Sequence, residues 1–148
     1  MKLFDIYTWA TGKQASFLNN FNGNDQLYAQ AQQFWNTLES NAIVYFAIFF
    51  LLGIGLAYYY YTPFNNQPGR HYHPKWWGAF LGICFGTTFL LTLVAAYLIA
   101  TPKLNGSFWL EVRLSFVNAF YAVLLYLVVS YVYCKCKWLP SNAYRPNI

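Results

Sequence analysis

Three long apolar runs constrain this chain more than any other feature of its sequence. They cover about residues 42–61, 76–100 and 108–133, and the first two contain no charged residue. Twenty helical residues rise about 30 Å, which is the thickness of the hydrocarbon layer of a bilayer. The sequence therefore predicts an all-α membrane protein with three transmembrane helices.

The composition leads to the same class. Of the 148 residues, 58% are hydrophobic and only 9% are charged, whereas about 25% are charged in a typical soluble domain. So few charges cannot cover a water-exposed surface. Helix-breaking prolines fall just outside the apolar runs, where helices are expected to end: Pro63, Pro74, Pro102 and Pro140.

The segment before the first run has a different character. It is rich in Asn and Gln, and Asn24 is a suitable helix N-cap. Apolar residues recur there at helical spacing: Leu27, Ala31, Phe34, Trp35 and Leu38. We expect an amphipathic or interfacial segment at 1–41, the transmembrane domain at 42–133 and a tail at 134–148.

The basic residues predict an orientation. With three spans, the loop at 62–75 and the C-terminal tail share one side of the membrane. That side carries Arg70, Lys75, Lys135, Lys137 and Arg145; the other carries Lys2, Lys13 and Lys103, with Arg113 just inside the bilayer. The positive-inside rule then places this loop and the C-terminus in the cytoplasm of a multi-pass inner or plasma membrane protein.

The second run carries three glycines spaced four apart, Gly78, Gly82 and Gly86. On a helix they form one slanting groove, and Ala96 and Ala100 return to the same face. Helices associate in lipid through close backbone approach at such small residues. The groove therefore predicts a helix-packing surface, either for another span of this chain or for a neighbouring subunit of a homo-oligomer.

The third run carries a polar stripe. Glu111, Ser115, Asn118 and Ala122 lie within about 60° of one another on a helix, and Arg113 points the opposite way. Charged groups in a bilayer usually face water or a protein interior. One interpretation is that the stripe lines a pore in an oligomer. The other is that Glu111 reaches the interface and Asn118 bonds a neighbouring helix.

The loop before the second run concentrates Arg70, His71, His73 and Lys75 beside aromatic residues. Cations next to aromatic rings suit anionic ligands such as phosphates and nucleotides. A positive-inside loop beside an aromatic belt would have the same composition.

Motifs for catalysis or cofactor binding are absent from the sequence, and we expect neither an enzyme nor a bound cofactor. Glu111 is the only carboxylate in the three runs, so a pair of catalytic carboxylates has no place there. Cys134 and Cys136 match no common zinc spacing, and we predict no metal site.

In size and layout the chain resembles the small multi-span effectors of bacterial anti-phage defence, including Hailong-type nucleotide-signalling systems. The resemblance implies a homo-oligomeric channel gated by a nucleotide or oligonucleotide at Arg70, His71, His73 and Lys75, with an antiviral role. The alternative is a structural or accessory subunit of a large membrane complex. Both predictions require lipid and other membrane subunits, identical or unlike, as partners.

Overall fold

A computed structural model describes residues 3–65 and 73–135, and in these residues every regular element is helical. Two short 3₁₀ helices occupy Leu3–Tyr7 and Asn19–Phe21, and a π-helical turn at Tyr60–Phe64 extends the fourth α-helix. The α-helices are α1 Thr8–Thr11, α2 Gln14–Leu18, α3 Asp25–Ser40, α4 Ala42–Tyr59, α5 Pro74–Ile99 and α6 Phe108–Lys135. The predicted all-α class is confirmed.

Three segments are long and apolar enough to cross a membrane: Ala42–Phe64, Pro74–Ile99 and Phe108–Lys135. Each boundary lies within three residues of its predicted position. The chain thus has the helices of an integral membrane protein with three spans.

Helix α3 forms where the polar segment was predicted to be helical. The Asn24 side chain accepts hydrogen bonds from the backbone N–H groups of Gln26 and Leu27 at 3.1 and 3.2 Å, which caps the helix. Its apolar face buries Ala31, Phe34, Trp35 and Leu38. Leu27 is 41% exposed, so the buried stripe begins one turn later than its spacing predicts. Asn41 separates α3 from α4.

The chain divides into two compact units, and the first comprises Met1–Ile48 and Phe89–Asn118. Its N-terminal segment folds back on α3. The Phe17 ring lies 5.9 Å from that of Phe34 and 5.6 Å from that of Trp35, and Phe4 meets Trp35 edge-on at 5.6 Å. Aromatic burial on α3 therefore holds residues 3–21 in place.

The second unit comprises Phe49–Thr88 and Ala119–Ile148. Tyr61 and Tyr133 stack with ring centroids 4.7 Å apart and planes 7° from parallel. The indole N–H of Trp77 donates to Ser130 Oγ at 3.4 Å. These pairs join α5 and the end of the first span to α6.

Within this second unit α4 and α6 meet at a glycine. A Cβ added to Gly53 would lie 2.9 Å from the Ala122 carbonyl oxygen, closer than real Cβ atoms approach, and 3.0 Å from Leu125 Cβ. Ala57, one turn along α4, is fully buried. Gly53 and Ala57 thus form a small-xxx-small pair that the chain uses in its own packing.

We expect Gly53→Ala to lower the free energy of unfolding by about 1–3 kcal/mol, because the added methyl group has no space against α6. Gly55 is the matched control, since a Cβ there meets nothing within 4 Å. Gly55→Ala should change the stability by less than about 1 kcal/mol. Reversible unfolding in mixed detergent micelles, followed by circular dichroism, measures both. Equal stabilities of the two variants would contradict the close contact.

Candidate functional site

The buried face of α5 follows a row of residues spaced strictly four apart. Its members are Phe80, Cys84, Thr88, Thr92 and Ala96, and Ala100 continues the row just after the helix. Such an i+4 row is inclined to the helix axis, so the contact face winds around α5. A helical-wheel projection, which assumes a contact face parallel to the axis, cannot show this winding.

This winding separates the small residues that the sequence placed on one face. Ala96 and Ala100 are fully buried, whereas Gly78 and Gly82 are exposed and Gly86 is half-buried. A Cβ at any of the three glycines would meet nothing within 4 Å. The glycine face of α5 therefore has no close neighbour among the described residues.

The polar stripe of α6 faces the interior of the chain. Glu111 is 1% exposed, and Ser115, Asn118 and Ala122 are fully buried, while Arg113 is exposed on the other side of the helix. The Ser115 hydroxyl donates to the Glu111 backbone carbonyl one turn earlier at 2.8 Å. Ala122 provides the carbonyl that Gly53 approaches. In this conformation none of the four residues predicted to line a pore borders an open surface.

Asn118 is the centre of a hydrogen-bonded cluster in the first unit. Its amide nitrogen donates to the Tyr45 backbone carbonyl at 3.0 Å and to Thr92 Oγ1 at 2.7 Å. Its amide oxygen accepts from the Tyr7 hydroxyl at 2.8 Å. One side chain of α6 thus bonds α4, α5 and the N-terminal segment.

Glu111 lies about two turns nearer the start of α6. One of its carboxylate oxygens, Oε1, lies 3.6 Å from Lys103 Nζ, and the lysine side chain is 42% exposed. Lys103 also hydrogen-bonds the Tyr97 carbonyl and lies over the Tyr97 ring, 4.0 Å from its centroid. Lys103 therefore connects a buried carboxylate to the surface.

In the described part of the first unit, two buried side-chain oxygens have no hydrogen-bond partner. They are the second Glu111 oxygen, Oε2, and the Tyr45 hydroxyl. Unsatisfied buried oxygens are uncommon in proteins and often mark sites of function or ordered water. The Glu111 end of the cluster can thus accept a proton, a cation or a water molecule.

The predicted anion-binding loop is only partly described. Arg70 and His71 lie outside the described residues. His73 and Lys75 are exposed where α5 begins, and Lys75 Nζ lies 5.7 Å from the centre of the Trp76 ring. Both side chains are open to a ligand from water.

Within residues 3–65 and 73–135, no group of three or more His, Cys, Asp and Glu side chains is placed to hold a metal ion. Cys134 is half-buried at the end of α6, and Cys136 lies outside the described residues.

Sequence reasoning missed three members of the polar cluster, namely Tyr7, Thr92 and Lys103. Tyr7 lies in the segment expected to be amphipathic or interfacial, and Thr92 lies in an uncharged apolar run, so neither position indicates a partner for Asn118. The one available indication was the presence of Asn118 in a span, because a buried amide requires partners on neighbouring helices.

Comparison of the chain with protein-family models, with curated proteins and with solved structures finds no match. Any conclusion about function therefore rests on the residues of this chain alone.

We expect Asn118→Leu to destabilise the protein by about 2 kcal/mol, because three hydrogen bonds worth on the order of 0.6 kcal/mol each are lost inside a membrane. Tyr7→Phe removes only one of them and should cost about a third as much. Tyr28→Phe, at a 38% exposed tyrosine of α3, is the control and should have no effect. Thermal unfolding in detergent compares the three. If Tyr7→Phe were as stable as the Tyr28→Phe control, the hydrogen bond from Tyr7 would contribute nothing to the stability of the protein.

Proposed function

We propose that this chain is a non-catalytic subunit of an oligomeric membrane assembly, and that the glycine face of α5 contacts the next subunit. The exposure of Gly78 and Gly82 supports this most directly. The same chain uses Gly53 where α4 and α6 meet, so close approach at glycine is one way in which its helices pack.

An exposed glycine gives a span no contact of its own and lowers helix propensity by about 1 kcal/mol relative to alanine. A second helix lying on Gly78 and Gly82 would offset that cost through backbone contact. This is the physical reason for placing a partner there.

A second copy of the chain is the partner that we propose. Gly55 on α4 is also exposed with open space around it, so one chain presents small residues on two different helices. Two unlike faces on one subunit permit head-to-tail contacts that close into a ring.

Ion conduction by this assembly is a second candidate function, and Glu111 favours it. An ionisable side chain within a span often marks an ion or proton path, and one oxygen of this buried carboxylate has no hydrogen-bond partner among the described residues. Since the polar stripe is enclosed within each chain, conduction along it requires the spans to move apart. In this proposal an anionic nucleotide-type ligand at the exposed His73 and Lys75 triggers that movement, as in the defence channels that the chain resembles.

We expect Gly82→Leu to dissociate the oligomer, because the larger side chain holds the neighbouring helix away. Val94→Leu is the control, since Val94 is 54% exposed on another face of α5. Native mass spectrometry of the detergent-solubilised protein gives the subunit number for both variants. An unchanged oligomer in Gly82→Leu would exclude the glycine face as the contact, and unlike partners bound to the wild type would favour an accessory subunit of a mixed complex.

The channel proposal predicts ion flux from protein-containing liposomes, increased by a nucleotide ligand and reduced at least several-fold in Glu111→Gln. A dye that reports internal ion concentration measures the flux. Lys75→Gln separates gating from conduction, because this change leaves α6 intact. It should reduce the increase in flux caused by the nucleotide and leave the flux without nucleotide unchanged. Wild-type liposomes that stay sealed with and without nucleotides would reject the channel and leave the subunit proposal standing.

A further inference from the structure

A cleft of about 610 Å³ opens in the first unit between the N-terminal segment and the start of α6. Its rim carries two largely exposed tryptophans, Trp9 at 65% and Trp109 at 68%. The residues that matter for its chemistry are Trp9, Ser16, Asn20, Asn105, Trp109 and Arg113. The cleft thus combines hydroxyl and amide groups, two indoles and one guanidinium group.

Among the residues that the structure describes, Arg113 is the one charged residue lining this cleft. Its side chain is exposed and makes no ion pair with any described residue. Glu111, the acidic residue nearest along the helix, is buried on another side of α6 and pairs with Lys103. The guanidinium group is therefore available to an anion from outside the chain.

The position of the cleft along α6 indicates where that anion comes from. A helix of 28 residues is about 42 Å long, which exceeds the hydrocarbon thickness by about 12 Å, so its ends reach the headgroup layers. Arg113 lies only about 8 Å from the start of α6, and a snorkelling arginine reaches lipid phosphates from that depth. Exposed tryptophans are typical of the same layer.

The surface beside the cleft is suited to an acyl chain. Trp109, Arg113 and Phe116 recur at i, i+4 and i+7 on one side of α6, and Phe116 is 55% exposed. A lipid phosphate at Arg113 would therefore have an aromatic surface directly below it for its hydrocarbon tail.

We propose that this cleft binds the headgroup of an anionic phospholipid. The Arg113 guanidinium donates paired hydrogen bonds to the phosphate. Ser16, Asn20 and Asn105 bond the remainder of the headgroup, and the two tryptophans enclose it at the glycerol level. The site concerns lipid recognition and is independent of the subunit contact at α5.

The test uses the full chain in detergent with equal amounts of dioleoylphosphatidylglycerol and dioleoylphosphatidylcholine, and native mass spectrometry counts the lipids retained. Both lipids carry a phosphate, but in the cleft the choline ammonium of phosphatidylcholine would lie beside the Arg113 guanidinium, and a charge difference of about 1 kcal/mol corresponds to a preference of about fivefold for the anionic lipid. We expect the wild type to show this preference, Arg113→Gln to lose it and Arg113→Lys to keep part of it, because lysine retains the charge without the paired donors.

Lys135→Gln is the matched control, since it removes an exposed cation at the other end of α6. It should retain the wild-type preference, and an excess of inorganic phosphate should leave the bound lipid in place. A wild type without preference for phosphatidylglycerol, or an Arg113→Gln variant that keeps the full preference, would overturn the proposal. Displacement of the lipid by inorganic phosphate would overturn it as well, in favour of a free phosphate ligand. Circular dichroism verifies that each variant is folded.

Discussion

A polar side chain inside a lipid-embedded helix must find its hydrogen-bond partners within the protein. Asn118 satisfies this requirement through Tyr7, Tyr45 and Thr92, which lie in three separate parts of the chain. Apolar surfaces in lipid give little preference for one helix arrangement over another, because lipid tails are as apolar as leucine. This one amide therefore favours the arrangement of the first unit in which its three partners meet.

The sequence was informative wherever structure depends on local pattern. The positions of the three spans followed from uninterrupted apolar length, and the buried side of α3 followed from its spacing. The Asn24 cap was also visible, because a capping side chain bonds backbone groups two and three residues away. Each of these features is determined within about twenty residues.

The arrangement of the site could not be read in the same way. Whether Ser115 and Asn118 face water or other helices depends on partners far along the chain, and no local spacing marks Tyr7 or Lys103 as those partners. The glycines show the same difficulty. Gly53 has the close helix contact and Gly82 has open space around it, yet each lies in a similar apolar surrounding in the sequence. The crossing direction of the helices distinguishes them, and it depends on the whole set of side chains along each contact.

The hydrogen bond between Tyr7 and Asn118 affects the order in which parts of the chain can fold during synthesis. The two residues are 111 positions apart, so the partner of Tyr7 does not yet exist while most of the chain is being translated. At about 5–20 residues per second the ribosome needs roughly 6–22 s to bridge that interval. During this time the N-terminal segment can pack on α3 through Phe4 and Phe17, but the Tyr7 hydroxyl still lacks its Asn118 acceptor. The third span therefore supplies the last partner of the segment around Tyr7, and a chain stalled before that span would lack this long-range hydrogen bond.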